Sequence, residues 1–194
     1  MSKLKKIAVI VIHSFRPRPE ALAFLLVAGG CVLMARPTWH YGLRQYMTLK
    51  SHSIWWHAGS TVQSGAPALW LTIPERGIDT LVLHGATPEN LQRFPCLESG
   101  DGVPLILAHR DTHFRALRAV KVNDRIKIVY PDGKCVKFRV SELEILTPEQ
   151  AWQRVQNNQI RNKLLLMTCY PFKYIGPAPN RLLVWANSET EHTL

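Results

Sequence analysis

The sequence predicts a mainly β protein, a small barrel or sandwich with short helices, and three observations support this prediction. Short apolar segments recur from residue 66 onward, and several of them alternate apolar with polar residues, as half-buried strands do. Turn-forming glycine, proline and aspartate separate these segments, and only short stretches between them carry helix signals. The chain of 194 residues is 46% hydrophobic and 20% charged, which suffices for a core and excludes a disordered chain.

The predicted strands end at proline, glycine or polar residues. They cover Ala68–Pro74, Asp79–Gly85, Val103–His109, the hairpin Asp124–Leu146, Lys163–Thr168 and Arg181–Ala186. In the hairpin the sequence PDG supplies the turn, and apolar Val136, Phe138 and Val140 alternate with basic residues. Two short helices are predicted at Thr87–Phe94 and Thr147–Gln156, because each segment starts with a threonine cap, a proline and an acidic residue.

The N-terminal part looks like a membrane anchor. Ala21–Ala35 is free of charge, and the aromatic residues that follow would extend it into the lipid headgroup region. Five basic residues precede the run, so the positive-inside rule places the N-terminus in the cytoplasm. A cleavable signal peptide is the alternative, because this run is short for a membrane span. We expect residues 1–39 to form a tail and anchor, 40–65 a stalk helix and linker, and 66–190 the β-barrel domain.

The formal net charge of +10 raises the question of nucleic-acid binding. Residues 1–36 hold six Lys/Arg against one acid, so half of the excess lies in the N-terminal segment. The rest of the chain shows no dense basic stripe and no nucleic-acid motif. We therefore expect no nucleic-acid partner.

The cysteines form no CxxC pair, which excludes the spacing of a zinc ribbon; they are Cys31, Cys96, Cys135 and Cys169. A domain outside the cytoplasm permits disulfides. A Cys96–Cys135 bond is conceivable, and the sequence does not decide whether it forms.

Three residues with catalytic potential fall at the ends of predicted strands. His109 closes one strand, Cys169 follows another, and Arg181 opens the last. A cysteine nucleophile needs a thiolate and a proton donor for the leaving group, and histidine is the usual donor. An arginine fork can stabilise the oxyanion of an acyl-transfer intermediate. These residue types together point to acyl transfer.

Three motifs resemble the sortase family, most closely its Gram-negative branch. They are HRDTHF (His109–Phe114), TCYPF (Thr168–Phe172) and NRLLVWA (Asn180–Ala186), and the resemblance covers roughly residues 66–187. It implies a closed β-barrel of about eight strands.

The resemblance also implies roles for single residues. Cys169 corresponds to the nucleophile, His109 to the acid/base and Arg181 to the arginine that positions substrate and stabilises the oxyanion. Thr168 corresponds to a position near the substrate, while Asp111 and Thr112 would orient the loop that carries His109. One position departs from the family: Ala108 stands where glycine is usual, and a methyl group there can crowd the backbone beside His109.

The sequence gives little support for a metal site. His109 and His113 are four residues apart, but no further ligands lie nearby. Some sortases bind calcium through acids near the active groove, whereas the acids of this chain form no clear cage; they are Glu98, Asp101, Glu142 and Glu144. We expect no cofactor.

The implied function is transpeptidation. A sortase cleaves a C-terminal sorting signal, commonly of the LPxTG type, through a thioacyl enzyme and transfers the protein to an amine acceptor. We expect a single-pass protein of the bacterial inner membrane with its catalytic domain on the periplasmic or external side. Two alternatives stay open: a cysteine hydrolase with the same site, and a membrane-tethered binding module of low activity.

Overall fold

The computed structural model describes residues 19–56, 62–98, 103–157 and 162–189. Within these ranges, no helix has both the length and the hydropathy of a membrane-crossing segment. Three parts of the predictions lie outside the described residues: the cytoplasmic tail up to residue 18, part of the linker at 57–61, and the acid Asp101.

Eight strands of the described chain form a closed barrel in the order β1–β2–β3–β4–β7–β8–β6–β5. The strands are β1 (Pro67–Ile73), β2 (Ile78–His84), β3 (Cys96–Glu98), β4 (Leu105–Leu107), β5 (Arg125–Val129), β6 (Cys135–Leu146), β7 (Lys163–Tyr170) and β8 (Asn180–Ser188). Neighbours pair antiparallel, except that β2 is parallel to β3 and β4 is parallel to β7. The predicted closed barrel of eight strands is confirmed.

The helices of the described chain are α1 (Pro19–Trp56), α2 (Pro88–Arg93) and α3 (Pro148–Gln156), with short 3-10 helices at Pro74–Arg76 and Arg115–Ala119. The predicted threonine caps hold two of them. Thr87 Oγ1 accepts a hydrogen bond from the backbone N–H of Asn90 at 3.2 Å. At α3, Thr147 Oγ1 accepts from Gln150 N–H while the Gln150 side chain accepts from Thr147 N–H, which is a capping box.

Helix α1 is continuous where the sequence suggests an anchor and a separate stalk. The chain divides into two compact units, one ending at Tyr46 and one starting at Met47. In the first unit the large apolar side chains of the charge-free run are exposed; among them are Phe24, Leu25, Leu26, Val32 and Leu33. In the second unit, Ile54 and Trp55 at the end of α1 pack on a cluster that includes Trp70 of β1. The end of α1 therefore contributes to the packing of the second unit.

Alternation along the strands separates an inner from an outer apolar cluster. Leu164 and Leu166 of β7 face the barrel interior, whereas Leu165 and Met167 lie in an outer cluster with residues of β8 and α3. The β1 side chains Leu69, Leu71 and Ile73 likewise fill the interior. Burial of these side chains, at roughly 25 cal/mol per Å² of apolar surface, is the main force that closes the barrel.

Two adjacent ion pairs connect the Pro74–Arg76 helix to the start of β5. Arg76 Nε lies 2.6 Å from Asp124 Oδ2, and Arg76 Nη2 donates to Oδ1 at 2.7 Å. Asp124 is buried, and the Arg76 guanidinium holds the pKa of this carboxyl below its usual value. The neighbouring pair, Glu75 with Arg125, is much more exposed.

We expect Asp124→Asn to lower the free energy of unfolding by about 2–3 kcal/mol at pH 7, because it leaves the Arg76 charge without its partner. The native pKa is depressed, so this stabilisation exists above the unfolded-state pKa of about 4 and is lost as pH falls through the native value. Denaturant titrations at pH 7 and at pH 3 measure the difference, which should shrink at pH 3. The control is Glu75→Gln in the exposed pair, which should cost at most about 1 kcal/mol. Equal losses in both variants would contradict this account.

Candidate active site

The three residues predicted to act on the substrate lie in or just beyond neighbouring strands of the barrel. β4 is parallel to β7, and their last pair matches Leu107 with Met167. β7 is antiparallel to β8, and that pairing matches Cys169 with Arg181. His109, two residues beyond Leu107, therefore comes level with Cys169, two residues beyond Met167. The topology brings His109, Cys169 and Arg181 into one row across adjacent strands.

The thiol and the guanidinium of this row share the outer face of the barrel. Directly paired residues of antiparallel strands project from one face with Cβ atoms about 5 Å apart, which places Cys169 beside Arg181. Cys169 also alternates in phase with Met167, a member of the outer cluster. That cluster consists of Val103, Leu105, Ala151, Leu165, Met167, Leu183 and Trp185. All members of this cluster are buried, so it forms a packed apolar layer beside the strand that carries the thiol.

Cys169 lies inside β7, one residue before its end, and not beyond the strand as the sequence suggests. Its pairing with Arg181 continues the ladder for two residues past the predicted strand end at Thr168. The thiol is half-buried. A strand holds its residues more firmly than a loop does, so Cys169 stands on a rigid support.

Thr168 faces the opposite way from Cys169. Its side chain is 3% exposed, and Oγ1 donates a hydrogen bond to the Ala108 carbonyl at 2.7 Å. The Ala108 N–H in turn donates to the Met167 carbonyl at 3.4 Å. These two bonds extend the β4–β7 pairing up to His109. Thr168 thus acts on the backbone beside His109 and lies on the face away from the predicted substrate contact.

Ala108 fits its position without strain. Its side chain packs in the inner cluster, and only Asn123 and Asn162 among the described non-glycine residues have positive φ. The methyl group that the sequence suggests could crowd His109 therefore fills core space.

His109 lies in an exposed turn after β4. Its carbonyl accepts a hydrogen bond from Phe114 N–H at 3.1 Å, and the Phe114 ring is fully buried. Asp111 is exposed in this turn, and the buried Thr112 Oγ1 has no hydrogen-bond partner in the described structure. The structure therefore gives neither side chain the predicted orienting contact, and Phe114 anchors the turn instead.

Arg181 is held through one of its terminal nitrogens. Nη1 donates to the carbonyls of Ala178 at 3.2 Å and Asn180 at 2.9 Å. Nε and Nη2 make no hydrogen bond to the described part of the protein, so they can bind a carbonyl oxygen of a substrate. The pKa of Glu149 in α3 is lowered by a backbone N–H, by the Thr147 hydroxyl and then by the Arg181 charge.

Arg110 is a residue that the sequence reasoning missed. It follows His109 directly, and its guanidinium donates to three carbonyls in the loop between β7 and β8. Its position within the HRDTHF motif was the one feature of the sequence that could have indicated a role for Arg110.

The other thiols differ from Cys169. Cys96 and Cys135 are both free, so the conceivable disulfide between them is absent. Burial, and then the nearby Glu98 carboxylate, raises the pKa of Cys96 to about 12, which keeps this thiol protonated at neutral pH. Cys135 is exposed at the start of β6, at the opposite end of the β6–β8 pairing from Arg181.

The described residues contain no group of three or more His, Cys, Asp or Glu side chains that could hold a metal ion. Two of the acids considered for calcium have another partner. Arg154 Nε lies 3.0 Å from Glu144 Oε1, and Arg154 Nη2 lies 3.8 Å from Glu142 Oε2.

Comparison with known proteins agrees with the fold. The sortase domain model matches residues 71–189. Sortase D of Bacillus subtilis is 22% identical over 137 residues, which is 66% of this chain and 67% of that protein. A sortase D5 transpeptidase of Clostridium perfringens has a similar structure, with a TM-score of 0.60 at 15% identity, over 77% of this chain and 99% of that one. Sortase A of Corynebacterium diphtheriae has a TM-score of 0.58 at 18% identity, over 81% and 87% of the two chains.

The closed eight-stranded barrel has the fold of the compared sortases. The domain match extends over more than half of the sequence, and the chain belongs to the sortase family. It is an enzyme of the kind that this family represents, a cysteine transpeptidase.

We expect Thr168→Val to lower the free energy of unfolding by about 1–2 kcal/mol and to reduce kcat, because the Ala108 carbonyl loses its buried donor next to His109. The substitution keeps the shape of the side chain. Denaturant unfolding and peptide-cleavage kinetics on the same preparations measure both effects. Thr168→Ser retains the hydroxyl and should stay close to the parent protein in both assays. A valine variant with unchanged stability and kcat would contradict the assigned role.

Proposed function

We propose that this sortase cleaves a C-terminal sorting signal of the LPxTG type with Cys169 as nucleophile, His109 as acid/base and Arg181 as oxyanion-binding residue. The observation that carries the proposal is the alignment of these residues in one row, with His109 just beyond β4, Cys169 in β7 and Arg181 in β8. The motifs His109–Phe114 and Thr168–Phe172 are the basis for assigning the chain to the Gram-negative branch, and the relatives compared above do not bear on that branch.

The proposed reaction has two acyl transfers. The Cys169 thiolate attacks the threonine carbonyl carbon of the signal, and Nε and Nη2 of Arg181 bind the oxyanion. The C–N bond breaks, the protonated His109 gives its proton to the departing amine, and a thioester remains. An acceptor amine at the cell envelope then attacks the thioester. Its proton passes to His109, the C–S bond breaks, and the thiolate is restored.

Cys169→Ala should lower the rate of signal-peptide cleavage by about 10³-fold or more, because no other thiol lies in the row. Arg181→Lys should lower kcat by about 10²-fold, since a point charge does not reproduce the fork. Cleavage of a fluorogenic LPxTG-type peptide, with mass spectrometry of the products and oligoglycine as acceptor, measures both.

Cys135→Ala is the matched control, because this thiol is exposed and far from the row, and its activity should equal that of the parent. An active Cys169→Ala variant would overturn the proposal. A parent enzyme that releases only the hydrolysed peptide and never the oligoglycine adduct would favour the cysteine hydrolase. A folded parent that forms neither product would favour the binding module.

We also propose that the charge-free run of α1 attaches the enzyme to the inner membrane, with the barrel on the periplasmic or external side. The exposed large apolar side chains of this run, and the basic residues that precede it in the sequence, support this proposal. The barrel domain, residues 66–190, would then be the catalytic domain outside the cytoplasm.

In a bacterial host, the full chain should sediment with membranes and resist alkaline extraction, whereas a chain without residues 1–39 should be released. Mass spectrometry of the mature N-terminus separates a retained anchor from a cleaved signal peptide. Recovery of the full chain in the soluble fraction would contradict the membrane proposal and leave the catalytic proposal intact.

A further inference from the structure

The loop between β7 and β8, residues 171–179, is held mainly by side chains. Outside the two strands that it joins, the described structure contains no backbone–backbone hydrogen bond within this loop. Phe172 packs against the inner cluster, and Tyr170 meets its ring edge-on. The loop connects Cys169 to Arg181, so its conformation affects both ends of the site.

Arg110 binds this loop through several contacts. Its Nη1 donates to the Pro171 carbonyl at 3.1 Å, and its Nη2 donates to the carbonyls of Tyr174 at 3.0 Å and Gly176 at 3.1 Å. The guanidinium carbon lies 5.7 Å from the centroid of the Tyr174 ring, within cation–π range. Arg110 has no carboxylate partner among the described residues. Its polar contacts therefore all come from one loop.

Arg181 binds the other end of the same loop. Its Nη1 donates hydrogen bonds to the carbonyls of Ala178 and Asn180. Arg110 donates to the carbonyls of Pro171, Tyr174 and Gly176. Two guanidinium groups thus fix five carbonyls between them. Arg110 thus holds the first part of the loop, and Arg181 holds the last part. A change in the first part can therefore displace the carbonyls that hold Arg181.

We propose that Arg110 is a positioning residue that holds His109, Cys169 and Arg181 in their mutual arrangement. Arg110 is bonded covalently to His109, and its side chain binds the loop that begins two residues after Cys169 and ends two residues before Arg181. One side chain therefore connects the three groups that the proposed reaction requires. This inference rests on the proposed function of those groups.

Binding these three loop carbonyls requires a planar guanidinium group. The three carbonyls lie in different parts of the loop, and a guanidinium offers fixed donors on two terminal nitrogens. A lysine ammonium at the end of a flexible stem does not span them in the same geometry. Because a displacement of about 1 Å at a reacting group costs on the order of 10²-fold in rate, a loosened loop should affect catalysis more than folding.

The test compares Arg110→Ala and Arg110→Lys with Arg118→Ala. Arg118 lies in the nearby 3-10 helix, is exposed, and makes no side-chain hydrogen bond in the described structure, so its variant should match the parent. We expect kcat to fall about 10²-fold in Arg110→Ala and about tenfold or more in Arg110→Lys, with KM changed less than about threefold. The pH profile of iodoacetamide alkylation at Cys169, measured without substrate, should move in both Arg110 variants. The denaturation midpoints should stay near that of the parent.

Each outcome decides the inference. If Arg110→Lys folds and keeps the parental kcat and alkylation profile, the inference is wrong. If kcat falls only in proportion to the folded fraction, or if neither variant folds, Arg110 is a structural residue and the inference is equally wrong. An active Cys169→Ala variant would instead overturn the proposed function. An inactive Cys169→Ala beside a fully active Arg110→Ala would overturn this inference alone.

Discussion

The parallel pairing of β4 with β7 is the constraint on which the rest of the site depends. β4 has three residues, and only the two hydrogen bonds around Ala108 carry its register on to His109. Successive residues of β7 point to opposite faces. The Thr168 side chain points inward and binds the backbone beside His109, while the Cys169 thiol points outward. A shift of one residue would exchange these faces and bury the Cys169 thiol. The strand register therefore decides which side chain reaches the outer face.

Helix α3 borders the row and is fixed at both ends. Near its C-terminal end, Arg154 pairs with Glu144, which also accepts a hydrogen bond from Trp185 Nε1 at 2.5 Å. The Arg154 guanidinium lies 5.4 Å from the centroid of the Trp185 ring. At the N-terminal end, the capping box follows Leu146, which is paired with Arg181. The helix and the buried outer cluster thus form a firm support for the strands that carry Cys169 and Arg181.

Local signals account for the parts of the structure that the sequence predicts well. The threonine caps locate α2 and α3, and alternation with a PDG turn locates the β5–β6 hairpin. β3 was missed because three residues cannot show a period, and it exists only through its pairing with β2 and β4. In the candidate site, too, local signals predict some features, whereas others depend on contacts between distant segments. Strand ends and motifs indicate His109, Cys169 and Arg181, but the inward turn of Thr168, the fit of Ala108 and the reach of Arg110 depend on contacts between segments about 60 residues apart.

The position of β8 has a consequence for the timing of synthesis. This strand is the last of the barrel along the chain, yet it lies between β7 and β6 and makes the longest pairings of the sheet. A nascent chain that does not yet contain β8 exposes two open strand edges, lacks Arg181 and cannot close the barrel. Cys169 is therefore synthesised before Arg181, and the row that contains both forms only when the final strand inserts. The order of synthesis thereby delays assembly of the complete row until the barrel is whole.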